Sequence, residues 1–162
     1  MTREIVIAPL TAQAFAPFGE VLEATGTPDK LINQGLCGRF HDRATLDILE
    51  GRAGISLFRS ETRALPYRIE MVERHPLGSQ AFLPMSFDPF LVIVAPDMGG
   101  APGTPQAFRS TAGQGINIAR NIWHGVLTPL HAPGLFAVID RIGEGANLEE
   151  HWFDAAWTVR DA

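Results

Sequence analysis

Residues 67–96 read YRIEMVERHPLGSQAFLPMSFDPFLVIVAP, and this stretch decides the fold class. It contains one run in which apolar and charged residues alternate, at 67–75, and two mainly apolar runs, at 80–85 and 90–95, and each has the length of a strand rather than of a helix. Pro and Gly stand between the runs, where they favour turns. The stretch therefore predicts consecutive short β-strands.

The same pattern continues beyond this stretch. Further strand-like runs occupy residues 106–111, 115–120 and 135–141, and the 16 Gly and 12 Pro of the chain recur between the runs. The only helical signal is one short turn, which Thr11 caps and Pro17 ends. Residues 148–153 fit either a strand or a helical turn. We predict an all-β, antiparallel barrel or double-sheet roll with little helix, formed by residues 1–162 as a single domain.

Composition narrows the classes of partner. The 162 residues carry 13 Lys and Arg against 18 Asp and Glu, a net charge of -5, and they form no basic block. Nucleic-acid binding needs a basic face and is therefore not expected. The longest purely apolar run, 90–95, is too short for a membrane span or a signal segment. With Cys37 as the one cysteine, the sequence predicts a cytoplasmic protein without membrane or nucleic-acid partners.

The first run ends in ionisable residues. Side chains two apart on a strand share a face, so Tyr67, Ile69, Met71, Glu73 and His75 should point the same way. One interpretation is the mouth of a barrel that carries a site, because buried ionisable groups need partners or a ligand. The other is that the strand leaves the core at this point and both groups are solvated. The pattern alone leaves both open.

Residues 115–124, GINIARNIWH, form the second informative stretch. Asn121 suits a turn because Asn tolerates a positive φ, and His124 would then begin the return strand. Such a hairpin brings Arg120 near His124, and the guanidinium offers a planar fork for a carboxylate. Trp123 is expected to pack in the core.

Several segments resemble the bacterial ureidoglycolate lyase family of the cupin superfamily. They occur in the family's order between about Pro9 and Phe153: RHPLGSQAF at 74–82, FLVIVA at 90–95, QGIN at 114–117, NIWH at 121–124 and FAVIDR at 136–141. The resemblance implies a cupin fold, a homodimer, and a lyase that cleaves (S)-ureidoglycolate to glyoxylate and urea. It also implies a place in allantoin and purine catabolism, where nitrogen is recovered.

In the cupin register, Glu73 and His75 stand at the two histidine positions, Gln80 at the carboxylate position and His124 at the final histidine position. If a metal is bound, the resemblance implies a divalent ion such as nickel or zinc held by His75, Gln80 and His124. Members of the family often carry Tyr-His where this chain has residues 118–119 and a second His where it has Gly125. These departures reduce the imidazoles expected near the site and leave His75 and His124 as the candidates, so the sequence permits a divalent metal without requiring one.

The lyase reaction needs a base, an acid for the leaving nitrogen and a carboxylate clamp. Imidazole titrates near neutrality and suits the base or the acid, and which histidine takes which role stays open. The catalytic candidates are His75, His124 and Glu73, and the substrate-binding candidates are Arg120 for the carboxylate, Gln80 for the ureido group, and Asn117.

Two other functions remain open. An amidohydrolase would release ammonia from the same substrate and would need an activated water. A non-enzymatic cupin would bind a small acid without turnover. The predicted homodimer has one further motive, since an apolar strand such as Phe90–Ala95 needs cover on both faces. The partner in all three functions is a small molecule.

Overall fold

The computed structural model describes residues 3–162, which form short strands and one helical turn. The strands are β1 (Glu4–Val6), β2 (Ala8–Pro9), β3 (Gly19–Leu22), β4 (Lys30–Ile32), β5 (Cys37–Arg39), β6 (Arg52–Arg59), β7 (Tyr67–Arg74), β8 (Gln80–Pro84), β9 (Phe90–Ala95), β10 (Gln106–Arg109), β11 (Gly115–Ile118), β12 (Trp123–His124), β13 (Thr128–Pro129), β14 (Leu135–Ile142) and β15 (Glu149–Arg160). The helix α1 spans Ala12–Phe15, and the Thr11 side chain caps it by accepting a hydrogen bond from Ala14 N at 3.1 Å. The nearly all-β prediction is confirmed.

The largest sheet has eight strands and is nearly closed. Its order is β1-β15-β7-β12-β9-β10-β2, with β13 also paired to β9. The two end strands, β1 and β2, are consecutive in the chain and only Ile7 separates them, so the sheet must turn back on itself. A five-stranded antiparallel sheet, β3-β11-β8-β14-β6, packs against it, and β4 and β5 form a separate hairpin.

Two apolar cores follow from the alternation along β9. Val92 and Val94 pack in the first core cluster, together with Phe82 and Ile118 of the five-stranded sheet. Leu91, Ile93 and Ala95, on the other face of the same strand, pack in a second cluster that includes Trp123. Every residue of β9 is buried within one chain. The apolar character of this strand therefore gives no support to a dimer, contrary to our reasoning from sequence.

The expected alternation along β7 does not run through the whole strand. Ile69 and Val72 are three residues apart, yet both are buried in the second core cluster. The register of the neighbouring strand β15 shifts between Trp152 and Trp157, opposite this part of β7. The extra residues of this irregularity lie in β15, opposite the part of β7 where the alternation is broken. The C-terminal segment, which the sequence left open, is a strand.

Candidate functional site

Strand register brings Glu73 and His124 together. His124 on β12 lies opposite Glu73 of β7 and opposite Val94 of β9. Residues directly opposite each other on neighbouring strands point to the same face. Since Val94 packs in the core between the two sheets, the carboxylate and the imidazole both face that space, at the end where β7 leaves the sheet.

His75 completes a compact cluster. It follows β7 directly, and its ring centroid lies 5.1 Å from that of His124. Its Nε2 is 3.8 Å from Glu73 Oε1. One ligand atom from each of Glu73, His75 and His124 lies within 4.8 Å of the others. The side chains of Glu73 and His75 are 22% and 19% exposed, so neither is freely solvated.

Hydrogen bonds to backbone carbonyls assign the tautomers of both histidines. His75 Nδ1 lies 2.8 Å from the carbonyl oxygen of Asn147, and His124 Nδ1 lies 3.0 Å from that of Gly125. A carbonyl only accepts, so each Nδ1 donates and each Nε2 keeps its lone pair. Both Nε2 atoms are buried, and neither has a hydrogen-bond partner among residues 3–162. Metal-binding histidines are commonly held in this way.

Burial shifts the pKa values of two members of the cluster, His124 and Glu73. Desolvation, followed by the proximity of His75, lowers the pKa of His124 to about 4, so this imidazole is neutral at pH 7. Desolvation also raises the pKa of Glu73, with a smaller opposing effect from His75. A neutral imidazole with a free Nε2 lone pair can accept a proton or bind a metal, but it has no proton on Nε2 to donate until it has accepted one.

Gln80 faces the same space from the five-stranded sheet. It lies opposite Ile118, a member of the first core cluster. The loop after β7 leads directly into β8, so Gln80 stands at the same end of the fold as His75. Its Nε2 donates to Asp140 Oδ2 at 3.1 Å, while its Oε1 is buried and has no hydrogen-bond partner in the described part of the chain.

Two other predicted residues point elsewhere. Arg120 donates from Nε to Asp47 Oδ2 at 2.9 Å and from Nη1 to the Pro76 carbonyl oxygen at 3.1 Å. Asn117 lies opposite Ala81, on the face of β11 away from the first core, and donates to Glu20 Oε2 at 2.8 Å. The structure therefore does not bring Asn117 into the cluster.

The turn before His124 is formed as predicted. Asn121 has a φ of 67° and donates its backbone N–H to the His75 carbonyl oxygen at 3.0 Å. Trp123 packs in the second core and donates from Nε1 to Asp97. The departure at Gly125 removes no imidazole from the cluster, because a side chain at this position would point at Ile93 in the second core.

Sequence reasoning missed two residues of the site. Asn147 supplies the carbonyl that holds His75, and its side chain accepts the Leu77 backbone N–H at 2.7 Å. Asp140 binds Gln80. Alternation along residues 136–141 indicated only that Asp140 and Arg141 face opposite ways. No local signal pointed to Asn147.

The fold and the cluster define the class of protein. A nearly closed β-barrel, antiparallel except for the two parallel end strands β1 and β2, with imidazole and carboxylate groups gathered at one end of its core is a cupin-type protein. Within this class the assignment is specific, because the family model described as Ureidoglycolate lyase matches residues 2–160. The chain belongs to the ureidoglycolate lyase family, a family of enzymes.

Relatives support this membership over nearly the whole chain. The chain is 61% identical to Ureidoglycolate lyase of Rhodobacter capsulatus over 148 aligned residues, and these residues make up 91% of this chain and 92% of the relative. It is 51% identical over 158 residues to Ureidoglycolate lyase 2 of Rhizobium meliloti, covering 96% and 97% of the two chains. It is 50% identical over 159 residues to Ureidoglycolate lyase of Chelativorans, covering 97% and 96%.

Among the described residues, no helix is long and apolar enough to cross a membrane.

Proposed function

We propose that this protein is a ureidoglycolate lyase that cleaves (S)-ureidoglycolate to glyoxylate and urea, with residues 1–162 acting as one catalytic domain. One observation carries the proposal. In a chain of this family, His75, His124 and Glu73 bring one ligand atom each within 4.8 Å of the others, and the buried Nε2 of each histidine has no hydrogen-bond partner among residues 3–162. Such a group is costly to bury unless it binds something.

The reaction asks for a proton acceptor and a proton donor at one carbon. The substrate is a carbinolamide that bears a carboxylate. Removal of the hydroxyl proton lets the aldehyde carbonyl form, the bond from carbon to the ureido nitrogen breaks, and that nitrogen receives a proton to leave as urea. One group that takes the first proton and returns it to the nitrogen can serve both steps.

His75 is the better candidate for this shuttle. Its free Nε2 lies 3.8 Å from the Glu73 carboxylate, close enough for that group to pair with the imidazolium that forms during the reaction. His124 is more deeply buried, at 2% exposure, and neutral at pH 7. We therefore assign His75 as base and then acid, Glu73 as the group that stabilises its protonated form, and His124 as a neutral acceptor or ligand beside it.

The cluster also fits a divalent metal. Two neutral imidazole nitrogens and one carboxylate are donors that zinc or nickel accepts, and both buried Nε2 atoms are unpartnered in residues 3–162. His75, His124 and Glu73 would hold the ion, and Gln80 Oε1 is available as the further ligand that the resemblance implies. When bound, such an ion would make the substrate hydroxyl more acidic.

Substrate positioning is assigned to the polar groups around the cluster. Gln80 is placed to contact the ureido group, and Arg120 is retained as the candidate clamp for the carboxylate. To bind a substrate carboxylate, Arg120 must share or exchange its bond to Asp47, which is 2.9 Å long. The Asn117 side chain is on the face of β11 away from the first core, where it donates to Glu20 and to the Thr45 carbonyl. A role in substrate binding would therefore act through Glu20 and the loop that contains Thr45.

Product analysis tests the activity directly. Purified protein is incubated with ureidoglycolate, and urea, glyoxylate and ammonia are measured, beside the metal content of the protein. Urea and glyoxylate in equal amounts are expected. Ammonia in place of urea would indicate the amidohydrolase, and binding without any turnover would indicate a small-acid-binding cupin.

The same proposal extends to assembly and context. Ile55 and Leu57 on the edge strand β6 are 75% and 65% exposed, and apolar edge strands favour pairing with a second copy. This supports a homodimer, for which light scattering should give twice the mass of one chain.

The exposed free thiol of Cys37 suits the cytoplasm. The reaction would serve allantoin and purine catabolism, and growth of a deletion strain on allantoin as nitrogen source tests that role.

A further inference from the structure

Gln80 is hydrogen-bonded to Asp140, a residue to which the proposed function above gives no role. Ile139 of β14 lies opposite Ala81 of β8, so Asp140 comes next to Gln80 on the face that carries Phe82 and Val138. Those two residues belong to the first core cluster. Asp140 therefore lies beside Gln80 on the face of the five-stranded sheet that is turned toward the first core.

The chemistry of the pair fixes the orientation of the amide. A carboxylate oxygen is an acceptor, and only the NH₂ end of a glutamine side chain can donate to it. The Gln80 nitrogen accordingly lies 3.1 Å from Asp140 Oδ2. Rotating the amide by half a turn would place two acceptor oxygens against each other. Asp140 thus fixes the orientation of the Gln80 amide, so that its NH₂ group is used by Asp140 and its Oε1 is free to contact a ligand.

The Oε1 atom of Gln80 is therefore a hydrogen-bond acceptor to which no described residue donates. Gln80 Oε1 is buried in a side chain that is 7% exposed, and no described residue donates to it. Leaving a buried acceptor unsatisfied destabilises the site, because the oxygen has lost its hydrogen bonds to water and gained none. A ligand that brings an N–H to this position would remove that penalty, whereas a ligand with a methyl or a methylene there would not.

We infer that Asp140 is a positioning residue that holds the Gln80 oxygen toward the ligand and so makes the site selective for an N–H donor, the ureido group of the substrate. This inference rests on the proposed function, since it assumes that the ligand lies between Gln80 and the histidines. It adds a determinant of specificity to the site. Discrimination comes from the polarity of one amide rather than from the shape of the pocket.

Two uncleavable probes differ only in the groups that matter. Ureidoacetate carries a carboxylate, a methylene and a ureido group, and 4-oxopentanoate has the same shape with a methylene and a methyl in place of the two nitrogens. Calorimetric titration of the wild-type protein should show stronger binding of ureidoacetate. In Asp140→Asn, affinity for ureidoacetate should fall about tenfold while that for 4-oxopentanoate changes less than twofold, because Asn can donate to Gln80 as well as accept.

A second variant restores the acceptor by another route. In Gln80→Glu with Asp140→Asn, the amide introduced at position 140 can donate to one oxygen of the carboxylate introduced at position 80 and leave the other facing the ligand. The preference for ureidoacetate over 4-oxopentanoate should return toward the wild-type ratio. Glu70→Gln on the exposed face of β7 is the matched control, and its binding ratio should equal that of the wild type.

The outcomes separate the inference from the proposed function. An equal loss of affinity for both probes in Asp140→Asn, or no loss for either, would overturn the inference. It would also be overturned if Asp140→Asn bound zinc more weakly than the wild type but kept the wild-type preference for ureidoacetate over 4-oxopentanoate. The Gln80 side-chain amide resonances supply a test that needs no ligand. They should be protected from exchange in the wild type and shift in Asp140→Asn, and unchanged resonances would also overturn the inference. If the wild type releases no urea but the Gln80 resonances still shift in Asp140→Asn, the result counts against the lyase and not against the role of Asp140 in orienting Gln80.

Discussion

Replacing His124 by Asn should change how the stability of the fold depends on pH. His124 is 2% exposed, and burial lowers its pKa from 6.5 to about 4. Between these two pH values the unfolded chain binds a proton at this residue while the folded chain does not. The free energy of unfolding therefore decreases as pH falls through this window.

The size of the effect follows from the same two values. Each tenfold difference in proton affinity corresponds to about 1.4 kcal/mol, so the full loss between pH 6.5 and about 4 is about 3 kcal/mol. Between pH 7 and pH 5 the linkage relation gives a loss of about 2 kcal/mol. Asn carries no such proton, so the variant lacks this contribution even though it loses stability at pH 7 from the altered packing.

Equilibrium unfolding in urea measures the effect. Wild type and His124→Asn are compared at pH 7 and pH 5 in the presence of a chelator, with tryptophan fluorescence as the signal. The difference between the two free energies of unfolding should shrink by about 2 kcal/mol at the lower pH. His131→Asn at an exposed position is the control and should track the wild type. Parallel pH dependence in wild type and His124→Asn would show that His124 is not held neutral by burial.

Three further substitutions test the remaining assignments. His75→Asn should lower kcat roughly 10²–10⁴-fold if His75 transfers a proton, measured as urea released per folded molecule, and near-normal turnover would remove it from the mechanism. Arg120→Lys should reduce kcat/KM far more than Arg52→Lys, because Lys keeps the charge but loses the planar fork; wild-type efficiency would mean that Arg120 is not the clamp. Arg141→Met should lower the free energy of unfolding by about 2–4 kcal/mol, since Arg141 donates to three backbone carbonyls at 2.6–2.8 Å, and a loss below about 1 kcal/mol in urea unfolding would contradict this role.

The site was predictable to the extent that its members follow one another closely in the chain. Glu73 and His75 are two residues apart, and His124 follows a turn that Asn121 indicates. Resemblance to a family then joined these two stretches. Arg120 was placed near His124 by the same hairpin, yet its guanidinium is bound to Asp47, 73 residues away along the chain. Alternation describes the direction of a side chain within its own strand and says nothing of the partners that other segments bring.

The sequence by itself determined the short strands, the turns between them, the turn at Asn121 and the residue types available for chemistry, because these depend on local propensity and on a two-residue period. Only the tertiary structure decided that Asp140 accepts a hydrogen bond from Gln80, that the Asn147 carbonyl accepts one from His75, and that Ile69 and Val72 share one core. These relations depend on which strands pair and in which register, and register is set by packing between distant segments. The burial that holds His124 neutral arises in the same way, since it requires two sheets to close over one imidazole.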